Sequence, residues 1–272
     1  LGGCASGTRM VSPEVVSEQN LATREEALKK EIVLRREEPV VSKKGEALKG
    51  YQAFLERHSA PSSPGRAPAL KRLGDLYMKE GHAQFLQDMA AYETRPSGPP
   101  PVVDYQKAIE VYNQLLRNHH DYSENDHVLY ALSRAYAEMG EPAQALPLLE
   151  WLVKEYPESP YRLEAYFRLG ESYFDHGKYE KAAAAYREAA GWEDPFFQDK
   201  ATYKLAWAYF NVQAYPEAID HFLSVVDQKT EEMAVFSPEE GSLVWEALTY
   251  VATAFRRLGG ASAVSASFKA TG

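Results

Sequence analysis

A chain of 272 residues, 45% hydrophobic and 25% charged, has the composition of a globular or solenoid protein. A net charge of −9 with no long basic run argues against nucleic-acid binding. No apolar stretch approaches the ~20 residues needed to span a bilayer, and the single cysteine, Cys4, excludes an intrachain disulfide and a cysteine-built metal site.

The chain opens Leu1-Gly2-Gly3-Cys4-Ala5-Ser6-Gly7. The first four residues resemble a bacterial lipobox, the Leu-small-small-Cys motif that ends a lipoprotein signal peptide. That resemblance implies lipid attachment at Cys4, with the apolar part of the signal lying upstream. Several acyl chains, at about 0.8 kcal/mol per buried methylene, give a stable anchor. Ala5 replaces the Asp of inner-membrane retention, so the resemblance points to the periplasmic face of the outer membrane. Residues 1–11 are then lipobox and tether. Ser12-Pro13-Glu14 reads as a helix start. Thr23 to Glu26 is a capping box opening a helix with Ala27, Leu28, Ile32 and Leu34 on its apolar stripe. Glu38-Pro39 ends that helix. From Glu46 to His58, the spacing of Ala47, Tyr51 and Phe54 predicts the second helix of a half-repeat, so 12–60 is an N-terminal helical segment.

Pro68 to about Met89, with Leu70, Leu73, Gly74, Tyr77 and Gly81, predicts the first helix of a repeat. Its partner helix, marked by Ala108, Tyr112 and Leu115, is delayed by 22 residues (86 to 108). Thr94 to Pro101 is too rich in proline and glycine to be helical and should loop out. Residues 61–125 are therefore a repeat interrupted by a Pro-rich insertion.

Three regular repeats follow over 126–228. Leu132, Tyr136, Gly140, Ala145 and Leu149 are succeeded by Leu169, Tyr173, Gly177, Ala182 and Tyr186, then by Leu205, Tyr209, Ala218 and Phe222. Tyr136, Tyr173 and Tyr209 recur at 37 and 36 residues (136 to 173 to 209). This pattern resembles the tetratricopeptide repeat (TPR) family, whose unit is a helix–turn–helix of about 34 residues. The implied fold is all-α, a right-handed superhelical solenoid of TPR-like hairpins. In the linker Tyr156 to Tyr161, Pro157 stops one helix, and Ser159 and Pro160 start the next as N-cap and first residue. This linker resembles that of bacterial outer-membrane TPR lipoproteins of envelope assembly machines. Residues 229–272 form a degenerate repeat. Trp245, Leu248, Val251, Ala252, Phe255 and Gly259 lie in its first helix, and Val264 and Phe268 begin its partner. Without a polar capping helix, the array is expected to continue beyond the fragment.

The small residues at Ala108, Ala145, Ala182 and Ala218 are packing positions, and the partner surface is sought elsewhere. In the TPR family the concave groove comes from set first-helix positions. Carried onto this chain they are His127, Tyr130, Arg134 and Glu138; Glu164, Phe167, Glu171, Phe174 and Asp175; and Lys200, Tyr203, Trp207, Phe210 and Asn211. Tyr130, Arg134, Phe167, Glu171, Phe174, Tyr203, Trp207 and Phe210 are the expected peptide-binding residues, against the alternative that several are inter-repeat core. The Lys and Asn set of the chaperone-tail clamp is not among them.

His119-His120-Asp121 reads as a helix end rather than a metal site. No residue set points to catalysis, a cofactor or a metal. The expectation is a non-enzymatic protein-interaction scaffold, lipid-anchored in the periplasm, that binds envelope proteins or peptides while helping to assemble barrels, pili or motility apparatus, or to coordinate the wall. The alternatives are a superhelical accessory domain of a cell-wall enzyme such as a lytic transglycosylase, and a cytosolic TPR adaptor.

Overall fold

Proline, with its fixed φ and missing N–H, suits the first position of a helix. It opens α1 (Pro39–Arg57), α5 (Pro142–Glu155), α8 (Pro195–Asn211) and α10 (Pro238–Leu258) in the computed structural model. The structure describes residues 39–191, 195–232, 238–260 and 262. The remaining helices are α2 (Arg66–Thr94), α3 (Gln106–Asn118), α4 (Asn125–Glu138), α6 (Arg162–Asp175), α7 (Tyr179–Ala189) and α9 (Tyr215–Glu232). Among the described residues every regular element is a helix, and the fold is an all-α stack of TPR-like hairpins. Cys4, the helices expected before Pro39, and Val264 and Phe268 lie outside the described residues.

The chain divides into two units, 1–54 and 55–272. The described part of the first is most of α1, which contains Ala47, Tyr51 and Phe54 as expected but begins earlier than Glu46. In the second unit each helix from α2 to α10 packs on its successor in chain order, the short-range arrangement of a repeat array.

Large–small pairs hold the hairpins together. Gly74 of α2 faces Tyr112 of α3, and Gly170 of α6 faces Tyr186 of α7. A Cβ at either glycine would lie 2.3 or 2.5 Å from the tyrosine ring. Leu149 and Phe222 take the tyrosine's place in α5 and α9 and are buried. Ala108, Ala145, Ala182 and Ala218 are all at most 5% exposed, in keeping with their reading as packing positions.

First helices end through a shared turn. The backbone enters the left-handed region at Gly140 (φ 79°), Gly177 (φ 68°) and Gln213 (φ 63°). The following N–H then donates five residues back, to the carbonyls of Tyr136, Tyr173 and Tyr209, at 2.8, 2.8 and 3.0 Å. The aromatic that marks each repeat in the sequence thus also supplies the carbonyl that closes its first helix. α10 ends likewise, with Gly260 N–H donating to Phe255 O at 2.9 Å.

Two local expectations are corrected. α2 starts at Arg66 and runs through Gly81, the position matching Gly140 and Gly177, as far as Thr94. Residues 82–94 are rich in Ala, Gln, Leu and Met, which favour helix, so only 95–105 of the insertion is non-helical. Ser159 is not the N-cap of α6: Tyr161 holds that place. The Ser159 hydroxyl instead accepts from Tyr161 N–H at 3.2 Å and donates to Asp126 at 2.7 Å. Trp245, Leu248, Val251, Ala252 and Phe255 lie in a helix, α10, as expected; Val251 is buried, while Trp245 (74% exposed), Leu248 (38%) and Ala252 face outward.

Candidate peptide-binding groove

The expected groove residues sit on α4, α6 and α8, the first helices of three successive hairpins. Their surroundings differ along the stack. Tyr130 is 8% exposed and stacks on Tyr161, with ring centroids 4.7 Å apart and planes at 14°. Burial, reinforced by Glu164, pushes its hydroxyl up to about 12. Arg134 reaches along its own helix to Glu138 at 2.8 Å. Glu138 also accepts from the Tyr105 hydroxyl at 2.6 Å. Burial opposes ionisation of Glu138, yet these two donors hold its carboxyl below the ordinary range.

Phe167, Glu171 and Phe174 occupy the middle hairpin. Phe167 meets Tyr186 edge to face at 5.8 Å and Phe174 meets Tyr179 at 5.1 Å. Glu171 accepts from the Tyr186 hydroxyl and pairs with Lys204 of α8 at 3.1 Å, tying three helices together. Lys204 also lies over the Phe174 ring, 6.0 Å from its centroid. Tyr203, Trp207 and Phe210 of α8 join a wider aromatic cluster: Trp207 is 4.1 Å from Tyr250 of α10 and 5.9 Å from Phe222 of α9, and Phe210 is 5.3 Å from Tyr250. Burial pushes the Tyr203 hydroxyl up to about 12.

These contacts separate the expected residues by role. Tyr130 is core, and Tyr203, Trp207 and Phe210 spend much of their surface on neighbouring helices. Open space remains beside α6. A cleft of about 480 Å³ lies between α4, α5 and α6. Phe167, Leu146 and Leu149 supply its apolar wall; Arg168, Glu171 and Asp175 supply its charge. Arg168 is held by both Nε and Nη2 against one Glu164 oxygen, at 3.0 and 2.7 Å, and lies 5.9 Å from the Tyr130 ring. Of the expected peptide-binding residues, Phe167 and Glu171 line this cleft, and so does Asp175 among the other groove positions. Leu146, on a second helix, and Arg168, one residue from an expected position, were missed. Nothing in the repeat spacing marks them, because which side chains border a gap is decided by how two hairpins meet.

A second polar cluster joins the α2–α3 hairpin to α4. Asp75 Oδ1 accepts from the Tyr112 hydroxyl at 2.8 Å and contacts His127 Nε2 at 3.0 Å. His127 Nδ1 meets the Tyr161 hydroxyl at 2.9 Å. Lys71 bridges Asp75 and Glu124 at 3.2 and 3.0 Å. Burial alone would raise the Asp75 pKa, but hydrogen bonds from His127 and Tyr112 hold it below the usual carboxylate range. His127, expected on the groove face, is thus part of an inter-hairpin brace. His119 caps the end of α3 as expected, and its backbone carbonyl accepts from the Asn125 side chain at 2.8 Å. No group of three or more potential metal ligands occurs among the described residues.

Hairpins of this kind, stacked through glycine–tyrosine pairs and closed by matching turns, are what the repeat spacing anticipated. Residues 130–195 match the tetratricopeptide repeat family. The matched TPR segment runs from the middle of α4 to the start of α8 and contains the cleft beside α6. No curated protein matches the chain. Solved structures similar to it include the following. MamA residues 41-end from Desulfovibrio magneticus RS-1 is 20% identical, with 81% of this chain and 100% of that one covered and a TM-score of 0.47. A putative kinesin light chain from Podosopora anserina, with nearly identical TPR-like repeats, is 19% identical over 73% and 89%, at 0.46. BtubC from P. vanneervenii is 14% identical over 83% and 85%, at 0.48. At these scores the likenesses say nothing about partners.

Proposed function

We propose that this protein is a non-catalytic scaffold that holds a peptide segment of a partner protein in the cleft beside α6. The observation that carries this reading is the cleft itself, about 480 Å³, lying within the TPR-matching segment and walled by Phe167, Leu146 and Leu149 with Arg168, Glu171 and Asp175 at hand. Apolar walls with a few placed charges are the usual make-up of a recognition site. The test is site-specific photo-crosslinking in the native host. A benzophenone side chain at Ala137 or Asp175, both lining the cleft, should capture a shared partner, and one at exposed Ala184 of α7 should not. Capture from Ala184 alone would sink the reading.

The scaffold is, on this proposal, lipid-anchored at Cys4 on the periplasmic face of the outer membrane and serves assembly of an envelope machine. The support is the Leu1-Gly2-Gly3-Cys4 sequence and the resemblance of the repeat linker to envelope lipoproteins. Mass spectrometry of the full-length protein expressed in a bacterium, wild type beside Cys4→Ala, tests it. A diacylglyceryl or triacyl mass on Cys4, and loss of the variant from the membrane fraction, is the expected result. An unmodified Cys4 in a soluble protein would remove the anchor and the localisation together.

A further inference from the structure

α2 does not end where the other first helices end, and the consequence is a second recognition surface. Beyond Gly81 it runs on for 13 residues to Thr94, about 20 Å at 1.5 Å per residue. Residues 95–105 then return to α3. The Tyr92 hydroxyl donates to Gly98 O at 3.4 Å. At the other end the return is fastened tightly: a Cβ on Gly81 would lie 2.4 Å from Asp104 O and 2.9 Å from the Tyr105 ring. The glycine that forms a turn in other repeats here gives the returning segment room to pass.

Helix α2 and the returning segment, with Glu138 of α4 at the edge of the second, leave two clefts, of about 260 and 290 Å³, which share Phe85 and Val102. Val102 is 73% exposed, and Leu86, one turn beyond His82 of the second cleft, is 54% exposed. Such side chains are costly to leave in water. Either cleft is too small for a helix, which is about 10–12 Å across, and is of a size for one side chain. The rim of the first cleft is acidic: Glu80, Asp88 and Asp104 line it against a single cation, Lys107, which lies 4.0 Å from Glu80.

We infer that this overhang of helix and returning segment is a docking site, separate from the cleft beside α6, for an extended peptide segment carrying one aliphatic side chain flanked by lysine or arginine. The aliphatic side chain covers Phe85 and Val102, and the flanking cations face Glu80, Asp88 and Asp104. The electrostatic part speeds encounter and weakens with salt.

The experiment is fluorescence anisotropy with the full chain and three labelled 12-residue probes of shared backbone sequence. One has a central Leu among lysines, one replaces that Leu by Ser, and one replaces the lysines by glutamates. Val102→Asp and the double variant Glu80→Lys/Asp88→Lys alter exposed side chains, and circular dichroism checks their folding. The Leu–Lys probe should bind at least 10-fold more tightly than either other probe. Each variant should weaken it 10-fold or more, whereas Phe167→Ala should leave it unchanged. Equal binding of the Leu and Ser probes, or insensitivity to Val102→Asp, overturns the site without touching the cleft beside α6. Sensitivity to Phe167→Ala alone would assign the probe to that other cleft and also overturn it. Concentration-dependent dimerisation abolished by Val102→Asp, with no probe binding, would give the surface to a second copy of the chain.

Discussion

Gly170 and Gln213 put the physics of single positions in view. Glycine is a poor helix former, by about 1 kcal/mol relative to alanine. Gly170 is nevertheless kept inside α6, since an added Cβ would lie 2.5 Å from the Tyr186 ring. We expect Gly170→Ala to destabilise the protein by about 1–3 kcal/mol in urea unfolding, the cost of overpacking outweighing the propensity gain. Gln213 is the reverse case. It stands at φ 63° where the two preceding repeats use glycine, a conformation costly for residues with a Cβ. Gln213→Gly should stabilise by about 0.5–1 kcal/mol, read by the same method. The spacing of Gly170 and Tyr186 makes the first effect legible in sequence. The second is not, because a left-handed turn at glutamine is visible only in its φ.

At the scale of helices, histidines and carboxylates brace the ends and junctions. Burial chiefly, with the Arg66 cation behind it, holds His119 at the end of α3 below its ordinary value, and burial does the same to His221 on α9. The fold therefore favours their neutral forms. Their contribution is present above about pH 6.5, the unfolded value, and is lost as pH falls through the lowered folded values. Asp75, Glu124 and Glu138, also held low, add a further loss at more acid pH by the same sign. The melting temperature should be level between about pH 7 and 9 and fall below about pH 6.5. The double variant His119→Gln/His221→Gln should flatten the segment just below about pH 6.5. An unchanged profile would remove these two histidines as its cause. Helix ends also show where reading by pattern stopped short. Gly81 has the spacing of a terminator, yet α2 passes through it, since the residues that follow favour helix and the returning segment occupies the space beside the glycine.

From α2 to α10, packing passes from each helix to its neighbour, and the buried core of the described residues falls into three clusters: one centred on α2 to α6, one on α7 and α8, and one on α8 to α10. Stability in such an array is close to a sum of local and nearest-neighbour terms. Phe222 is fully buried and within ring contact of Tyr203, Trp207 and Tyr250. Phe222→Ala should cost about 3–5 kcal/mol locally. Native-state hydrogen exchange should then accelerate through α8, α9 and α10 while α3 and α4 stay within about 0.5 kcal/mol of wild type. Uniform acceleration across all helices would instead indicate one cooperative unit.

The repeat period, the small residues at the helix crossings and the aromatic before each turn were sufficient by themselves to specify an all-helical array of TPR-like hairpins, because each reports an interaction within one hairpin or with the next. The positions expected to bind a partner carried less information. Tyr130, Tyr203, Trp207 and Phe210 have the periodicity of a groove, but Tyr161, Phe222 and Tyr250 cover much of them, and those residues come from other elements. Exposure depends on what a neighbouring hairpin places over a side chain, so only the tertiary structure separated Phe167 and Glu171, which line a cleft, from aromatics that hold the stack together. It likewise decided that the delayed second helix of the interrupted repeat leaves α2 projecting, with Phe85 and Val102 between helix and returning segment. A count of inserted residues gives the length of such a detour; its path is set by what packs against it.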